Sequence, residues 1–193
     1  MKSFCSSLFC HLFFILTSLV SFSQNEIFFV DNFEEIELKE HLFHATKKDC
    51  SLNEVSKQKF AKTPKDFKFQ KELKDTTWFK FTLTNKSNSI KHITFTIGYI
   101  LFENYALYKT EKTGLSTVFK ITKNHGSKHK NFFMAPNETS TFYLKTNHQN
   151  NNFHFNPKVS DESYFVDKQN KENLINTLFY GGIIFIFIFN VIL

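Results

Sequence analysis

Arginine is missing from this chain. All 24 basic residues among its 193 are lysine, against 18 acidic residues, for a net charge of +6. A basic balance built from dispersed lysines alone argues against nucleic-acid recognition; a solvated surface near anionic lipid or cell envelope accounts for it better. Glycine (5 residues) and proline (3 residues) are sparse. There is no glycine-rich phosphate loop, no internal repeat and no low-complexity tract, only an Asn-rich loop at 147–152. Cysteine is limited to Cys5, Cys10 and Cys50. The first two fall in a segment read below as a removed leader, so the mature chain keeps one thiol and forms no internal disulfide. Cys50 is expected to be a small buried residue rather than a reactive thiol. No Cys-x-x-Cys pair, His-Glu-x-x-His helix, acid/base pair or nucleophile–base pattern stands out, so no metal, cofactor or catalysis is expected. His41/His44 and His125/His129 are the closest histidine spacings. Gly126 and Ser127 break the second pair, and both pairs read as surface residues. The length excludes a large multidomain enzyme and allows one ordinary domain with appendages.

Phenylalanine, by contrast, is abundant, at 27 residues. Together with the excess of Lys, Asn and Ile this reads as compositional bias, so no Phe counts as functional by its presence alone. Hydrophobicity concentrates at the two ends. Residues 1–23 read as a secretory signal peptide: Lys2 supplies the positive start, Leu8 to Val20 the short apolar region, and Ser21-Phe22-Ser23 the small residues before a cleavage site at Gln24. Residues 174–193 contain no charge and are long enough to cross the roughly 30 Å hydrocarbon core as a helix. Tyr180 suits an interface, Gly181 and Gly182 suit close approach of another helix, and Asn190 favours a helical neighbour to bond with. The chain stops at Leu193 inside this run without a basic flank, and so reads as the front end of a longer membrane protein.

Residues 24–173 form the domain between, and their main local signal is alternation. In Trp78-Phe79-Lys80-Phe81-Thr82-Leu83-Thr84, Phe79, Phe81 and Leu83 share one face; Trp78, Lys80 and Thr82 share the other. His92 to Ile97 repeats the pattern with Ile93, Phe95 and Ile97 inward, and Asn85 to Ser89 is the turn between. Further strands are expected at Tyr105–Tyr108, Val118–Ile121, Thr141–Lys145 and Phe153–Phe155, with turns near Gly114 and at Ala135 to Glu138. Ser51-Leu52-Asn53-Glu54 is a capping-box pattern that opens a short helix. Residues 166–173, polar and charged, read as the juncture with the membrane. The fold class is therefore mainly β, a jelly roll or β-sandwich, followed by one transmembrane α-helix.

One polar pattern is shaped for binding. Trp78-x-Lys80 and Tyr143-x-Lys145 each place an aromatic ring and a cation on the side of a strand opposite the apolar row. A flat ring stacks on a sugar face or planar ligand, and a neighbouring ammonium binds a carboxylate or hydroxyl. If the two strands share a sheet, Trp78, Lys80, Tyr143 and Lys145 form a ligand platform. The alternative is a second half-buried face, covered by segment 24–60, with each lysine snorkelling to water.

These residues resemble the extracellular domain 2 of bacterial seven-transmembrane receptors with diverse intracellular signalling modules. Trp78-Phe79-Lys80-Phe81-Thr82-Leu83-Thr84-Asn85-Lys86-Ser87 resembles a Trp-x-Arg-Phe-x-Leu-x-Asn-x-Ser strand of that family. Ile97-Gly98-Tyr99 with Tyr105 to Tyr108 resembles its next strand pair, and Phe142-Tyr143-Leu144-Lys145 its Tyr-Leu-Arg strand. Tyr180-Gly181-Gly182-Ile183 through Asn190 resembles the start of its first membrane helix. The resemblance covers roughly residues 27–193. It implies a jelly-roll sensor similar to carbohydrate-binding modules, periplasmic and held in the inner membrane. The implied partners are the membrane, a carbohydrate or other small-molecule ligand, and a homodimer mate or downstream signalling module. Lys80 and Lys145 stand where the family favours Arg, so the bidentate contact is lost at both. The competing expectation is a structural or protein-interaction module of the cell envelope.

Overall fold

The computed structural model describes residues 26–47, 51–64, 67, 76–97, 104–111, 114–122, 129–147 and 156–192. The leader, Cys50, His125, Gly98-Tyr99 and the expected strand at Phe153–Phe155 lie outside the described residues.

Eleven described strands form two sheets. In chain order they are β1 (Glu26–Phe29), β2 (Glu35–Glu37), β3 (Phe43–Lys47), β4 (Ala61–Lys62), β5 (Thr76–Asn85), β6 (Lys91–Thr96), β7 (Asn104–Glu111), β8 (Gly114–Thr122), β9 (His129–Met134), β10 (Thr139–Asn147) and β11 (Lys158–Asp161). A 3-10 turn (Lys39–His41) precedes β3; a one-turn helix, α1 (Leu52–Val55), follows it; and the long helix α2 (Glu162–Ile192) follows β11. Sheet A has the order β4-β3-β5-β10-β7-β8. The second edge of β5 is shared: β3 pairs antiparallel with its first half and β1 parallel with its second. Sheet B has the order β2-β11-β6-β9 and is antiparallel throughout.

The alternation of β5 decides where the core lies. Phe79, Phe81 and Leu83 point to one face and are fully buried with Phe142 and Leu144 of β10 and Leu107 of β7. Ile93, Phe95 and Ile97 meet them from the β6 segment, together with Val159 of β11. Phe81 is the contact point of the two sheets. Its ring is stacked on Phe95 at 6.1 Å and on its cross-strand partner Phe142 at 5.3 Å. Residues from both sheets share one core, so the two sheets form a sandwich. The architecture is the expected one, mainly β with a single C-terminal helix that is long and apolar enough to cross a membrane.

The loop ends are pinned by Asn85. Its Nδ2 donates to the carbonyls of Ser89 (2.9 Å), Met134 (3.1 Å) and Ala135 (2.9 Å), and its Oδ1 accepts from the N–H (3.0 Å) and Oγ (2.7 Å) of Ser87. One buried side chain thus shapes the β5–β6 turn and ties it to the β9–β10 turn. In the latter Asn137 takes the left-handed conformation (φ 57°) that asparagine tolerates, as the expected turn at Ala135 to Glu138 requires.

Helix α2 starts twelve residues before the uncharged run, so the polar juncture at 166–173 is itself helix. The first turns of α2 contact the sandwich as far as Lys168, so about six residues, roughly 9 Å at 1.5 Å per residue, separate the last contact from the apolar segment. The Asn190 Nδ2 donates to the Ile186 carbonyl at 2.8 Å, inside its own helix, which uses one of the amide's two N–H groups.

Replacing Asn85 with Ala leaves the buried Met134 carbonyl, two part-buried carbonyls and the Ser87 N–H without this partner, and should lower domain stability by about 3 kcal/mol. Urea unfolding followed by Trp78 fluorescence will show this as a lower midpoint at unchanged slope.

Candidate functional site

Sheet A has an outer face, opposite the core, and the four residues singled out in the sequence meet there. In the β5–β10 register, Trp78 lies opposite Lys145 and Lys80 opposite Tyr143. Aromatic and cationic side chains therefore alternate like a checkerboard, extended by Tyr108 of β7, the partner of Tyr143 on its other side. The ammonium of Lys145 stands 5.5 Å from the Trp78 ring, and Trp78 and Tyr108 are 5.7 Å apart.

This checkerboard is covered. Trp78 is 1% exposed and Tyr143 5% exposed. With Val55, Ala106 and Tyr108 they form a second apolar cluster, against which Leu52, Phe60 and Leu115 pack. The cover is the segment 51–60, so the rings do not form a solvent-open platform; the two lysines remain half-buried at its margin. The capping box is the reason the segment turns here: the Glu54 carboxylate accepts the Ser51 N–H at 3.2 Å, fixing one helical turn that aims Leu52 and Val55 at the sheet. Burial pushes the phenols of Tyr108 and Tyr143 up, keeping both protonated.

Further along the same face the side chains are hydroxyls, with Thr82 and Thr84 still buried. Thr82 and Thr141 are joined at 3.2 Å and Thr84 and Thr139 at 2.8 Å, and Thr84 also donates to Glu26 of β1. These hydroxyls extend the face as a polar strip.

The outer face of sheet B has a different occupant. The first two turns of α2 lie across it and are held from three strands. Glu162 meets Asn131 of β9 and the His92 ring of β6 (3.5 Å); Phe165 packs on His129 of β9 at 4.8 Å; and Lys168 meets Glu35 of β2 at 2.9 Å. The fourth strand, β11, joins through Lys158, which is 2.7 Å from Glu35 and 2.9 Å from Glu37. Beneath the helix, Thr94 and Ser160 are fully buried although they point away from the core. Burial raises the Glu35 carboxyl, but the hydrogen bonds and charges of Lys158 and Lys168 together outweigh it and hold Glu35 below its ordinary value. The Glu35 hydrogen bond leads in raising Lys158. Sequence reading missed this cluster. Glu35 and Lys168 are 133 residues apart, and no local period connects them.

Among the described residues the histidines do not converge. The His44 Nδ1 is 3.4 Å from Thr63 Oγ1 and its ring packs on Phe67; burial, opposed by a hydrogen bond that the ring donates to the Ala61 backbone, keeps it below its ordinary value. His129 belongs to the helix contact. Among the described residues no group of three His, Cys, Asp or Glu side chains is placed to hold a metal ion.

Because the Glu35 value is lowered on folding, its contribution is complete above the ordinary carboxylate value of 4.5 and is lost as pH falls through the lowered one. Protection of the 162–170 amides against hydrogen exchange, corrected for intrinsic rates, should fall about tenfold over that acid range. Glu35→Gln should show the reduced protection already at neutral pH and no further acid step.

The model of the family described as 7TMR-DISM extracellular 2 matches residues 40–159, which run from the 3-10 turn into the first half of β11 and hold both sheets except β1, β2 and the end of β11. No curated protein matches the chain. The matched span takes in the Trp78–Ser87 strand and turn, the Tyr143–Lys145 strand and the covering segment 51–60, and it stops just before α2. With the matching domain spanning well over half its length, a β-sandwich of the expected class and a membrane-length helix directly behind it, the chain belongs to the 7TMR-DISM extracellular 2 family, the extracellular sensor-type domain of seven-transmembrane receptors.

Proposed function

We propose that this chain is the periplasmic, ligand-sensing part of a signal-transduction receptor held in the inner membrane, and that it binds rather than catalyses. Its ligand is a carbohydrate or a similar small molecule of the cell envelope, taken up on the outer face of sheet A, a jelly-roll-like scaffold, by Trp78, Lys80, Tyr143 and Lys145. The observation that carries this reading is the division between the two outer faces. One carries rings, ammonium groups and hydroxyls in the alternation a sugar needs, the rings lying beneath the short segment 51–60; the other is gripped by the helix that leads to the membrane.

In this reading binding works by differential affinity: ligand prefers one arrangement of the sandwich, and the helix position follows because it is fastened to sheet B. Gly181 and Gly182 face open space in the helix, which suits close packing by a second copy or by a downstream signalling module. A second reading, a non-catalytic structural or protein-interaction module, draws support from the burial of Trp78 and Tyr143 beneath segment 51–60.

Calorimetry of the full chain in lipid nanodiscs against a panel of neutral and acidic oligosaccharides separates the two. Sensing predicts saturable binding to at least one of them, weakened about tenfold by Lys145→Ala, which leaves both apolar clusters intact. Absence of heat across the panel from a folded protein rejects a sugar ligand and favours the interaction module.

A further inference from the structure

The segment that covers the checkerboard has the features of a place-holder. Phe60 sits 5.8 Å from Tyr143, ring to ring and tilted by 56°, with the Lys80 ammonium 6.0 Å from the Phe60 ring centre. Ring against ring, with a cation at the margin, is how this surface would hold the flat face of a ligand. The cover is lightly attached: residues 51–60 contribute no strand to either sheet, and the backbone hydrogen bonds of α1 close within 51–58. Its hold on the sheet is the burial of Leu52, Val55 and Phe60.

Two further observations point to what is displaced and by what. The Trp78 Nε1 is buried and, among the described residues, has no hydrogen-bond acceptor, although its ring is 1% exposed. A buried N–H left unpaired is costly, and an acceptor that reaches it removes that cost. Charge supplies the second. Lys91, Lys109, Lys158 and Lys168 each face a carboxylate within 4 Å. Lys80 and Lys145 instead lie over aromatic rings, and no carboxylate is paired with either among the described residues. The covered end of the face thus assembles an indole N–H, two phenols and two ammonium groups, all able to donate.

We infer that residues 51–60 are a strap occupying a binding site for an acidic sugar. Phe60 takes the place of the sugar ring, Lys80 and Lys145 await its carboxylate, and Trp78 Nε1 awaits a ring or hydroxyl oxygen. The inference rests on the reading of sheet A as the ligand face and adds to it a gate and a charge. Ligand and strap compete for one surface, so the apparent affinity is reduced by the fraction of molecules with the strap in place. Loosening the strap therefore tightens binding, the opposite of what removing a core side chain does to an ordinary site.

The test uses the full chain in nanodiscs, with trigalacturonate as the acidic probe and maltotriose as the neutral one. Phe60→Ser removes the place-holder and should bind trigalacturonate about tenfold more tightly than the unaltered chain. Val55→Ala, a milder change, should move affinity the same way by a smaller factor. Lys80→Gln with Lys145→Gln should abolish the preference for trigalacturonate over maltotriose. Far-ultraviolet circular dichroism verifies that each variant is folded. Folded strap variants that bind no tighter than the unaltered chain overturn the strap and leave the ligand face standing. Equal affinity for the two sugars in the unaltered chain overturns the acidic class. No binding of either sugar by any folded variant overturns this inference and the ligand-face reading together.

Discussion

The two-residue period of strand β5 is the constraint on which the rest of the molecule depends. It places Phe79, Phe81 and Leu83 in the core and Trp78, Lys80, Thr82 and Thr84 on the outside, in one uninterrupted run paired on both edges. A slip of one residue would exchange the two sets, putting ammonium and hydroxyl groups between the sheets and phenylalanine rings on the outer face. Register is pinned at two points: by the stack of Phe81 between Phe95 and Phe142, and by Asn85, which spends its amide on carbonyls of two different turns. Everything on the outer face inherits its spacing from that register.

The two outer faces are covered by different physics. On sheet A the cover is apolar and short, three side chains on a single helical turn and the residues after it. On sheet B it is polar, with carboxylates, lysines, an asparagine and a histidine distributed over the strands and the first turns of α2. Half-exposed ion pairs contribute little each, but Glu35 is shared by two lysines, one on the sheet and one on the helix, and a shared carboxylate orients both. The arrangement fixes the helix direction more than it adds stability. The result is a sandwich with one face closed by a short apolar segment and the other fastened to a helix long and apolar enough to cross a membrane.

Much of this was legible in the sequence where the pattern is local. The alternating runs at 78–84 and 92–97, the turns at 85–89 and 135–138, the capping box at Ser51 and the charge-free run at 174–193 each belong to a single element, and each appears in its place. Strands β9 and β11 were not legible: His-Lys-Asn-Phe-Phe-Met does not alternate, because its outward Phe133 is exposed on an edge strand, and Lys-Val-Ser-Asp is too short to show a period. The period put Trp78 with Lys80 and Tyr143 with Lys145 on the outward side of their strands; that the two strands are neighbours in one sheet came from the fold. Whether that face is open did not show in the sequence, because the answer lies in Phe60 and Val55, whose apolar character is ordinary for this composition. The helix clamp was invisible for the same reason: Glu35, Lys158, Glu162 and Lys168 become a cluster only once the chain is folded. The family match covers most of the sandwich, including His92, Asn131 and Lys158 of the clamp, and ends before the helix that they hold.

The central claim is that events on sheet A reach the helix docked on sheet B. It is tested most directly by a distance between the sandwich and α2 in the full chain. Spin labels at Lys130→Cys on β9 and Asn170→Cys on α2, both exposed positions, with Cys5, Cys10 and Cys50 replaced by Ser, report that distance by pulsed electron resonance in nanodiscs. With trigalacturonate bound at the sheet A face, the account predicts a shift in the distance distribution of about 2 Å or more, the scale of helix displacements in switching proteins. Occupancy of the sheet A face with an unchanged distribution would contradict it.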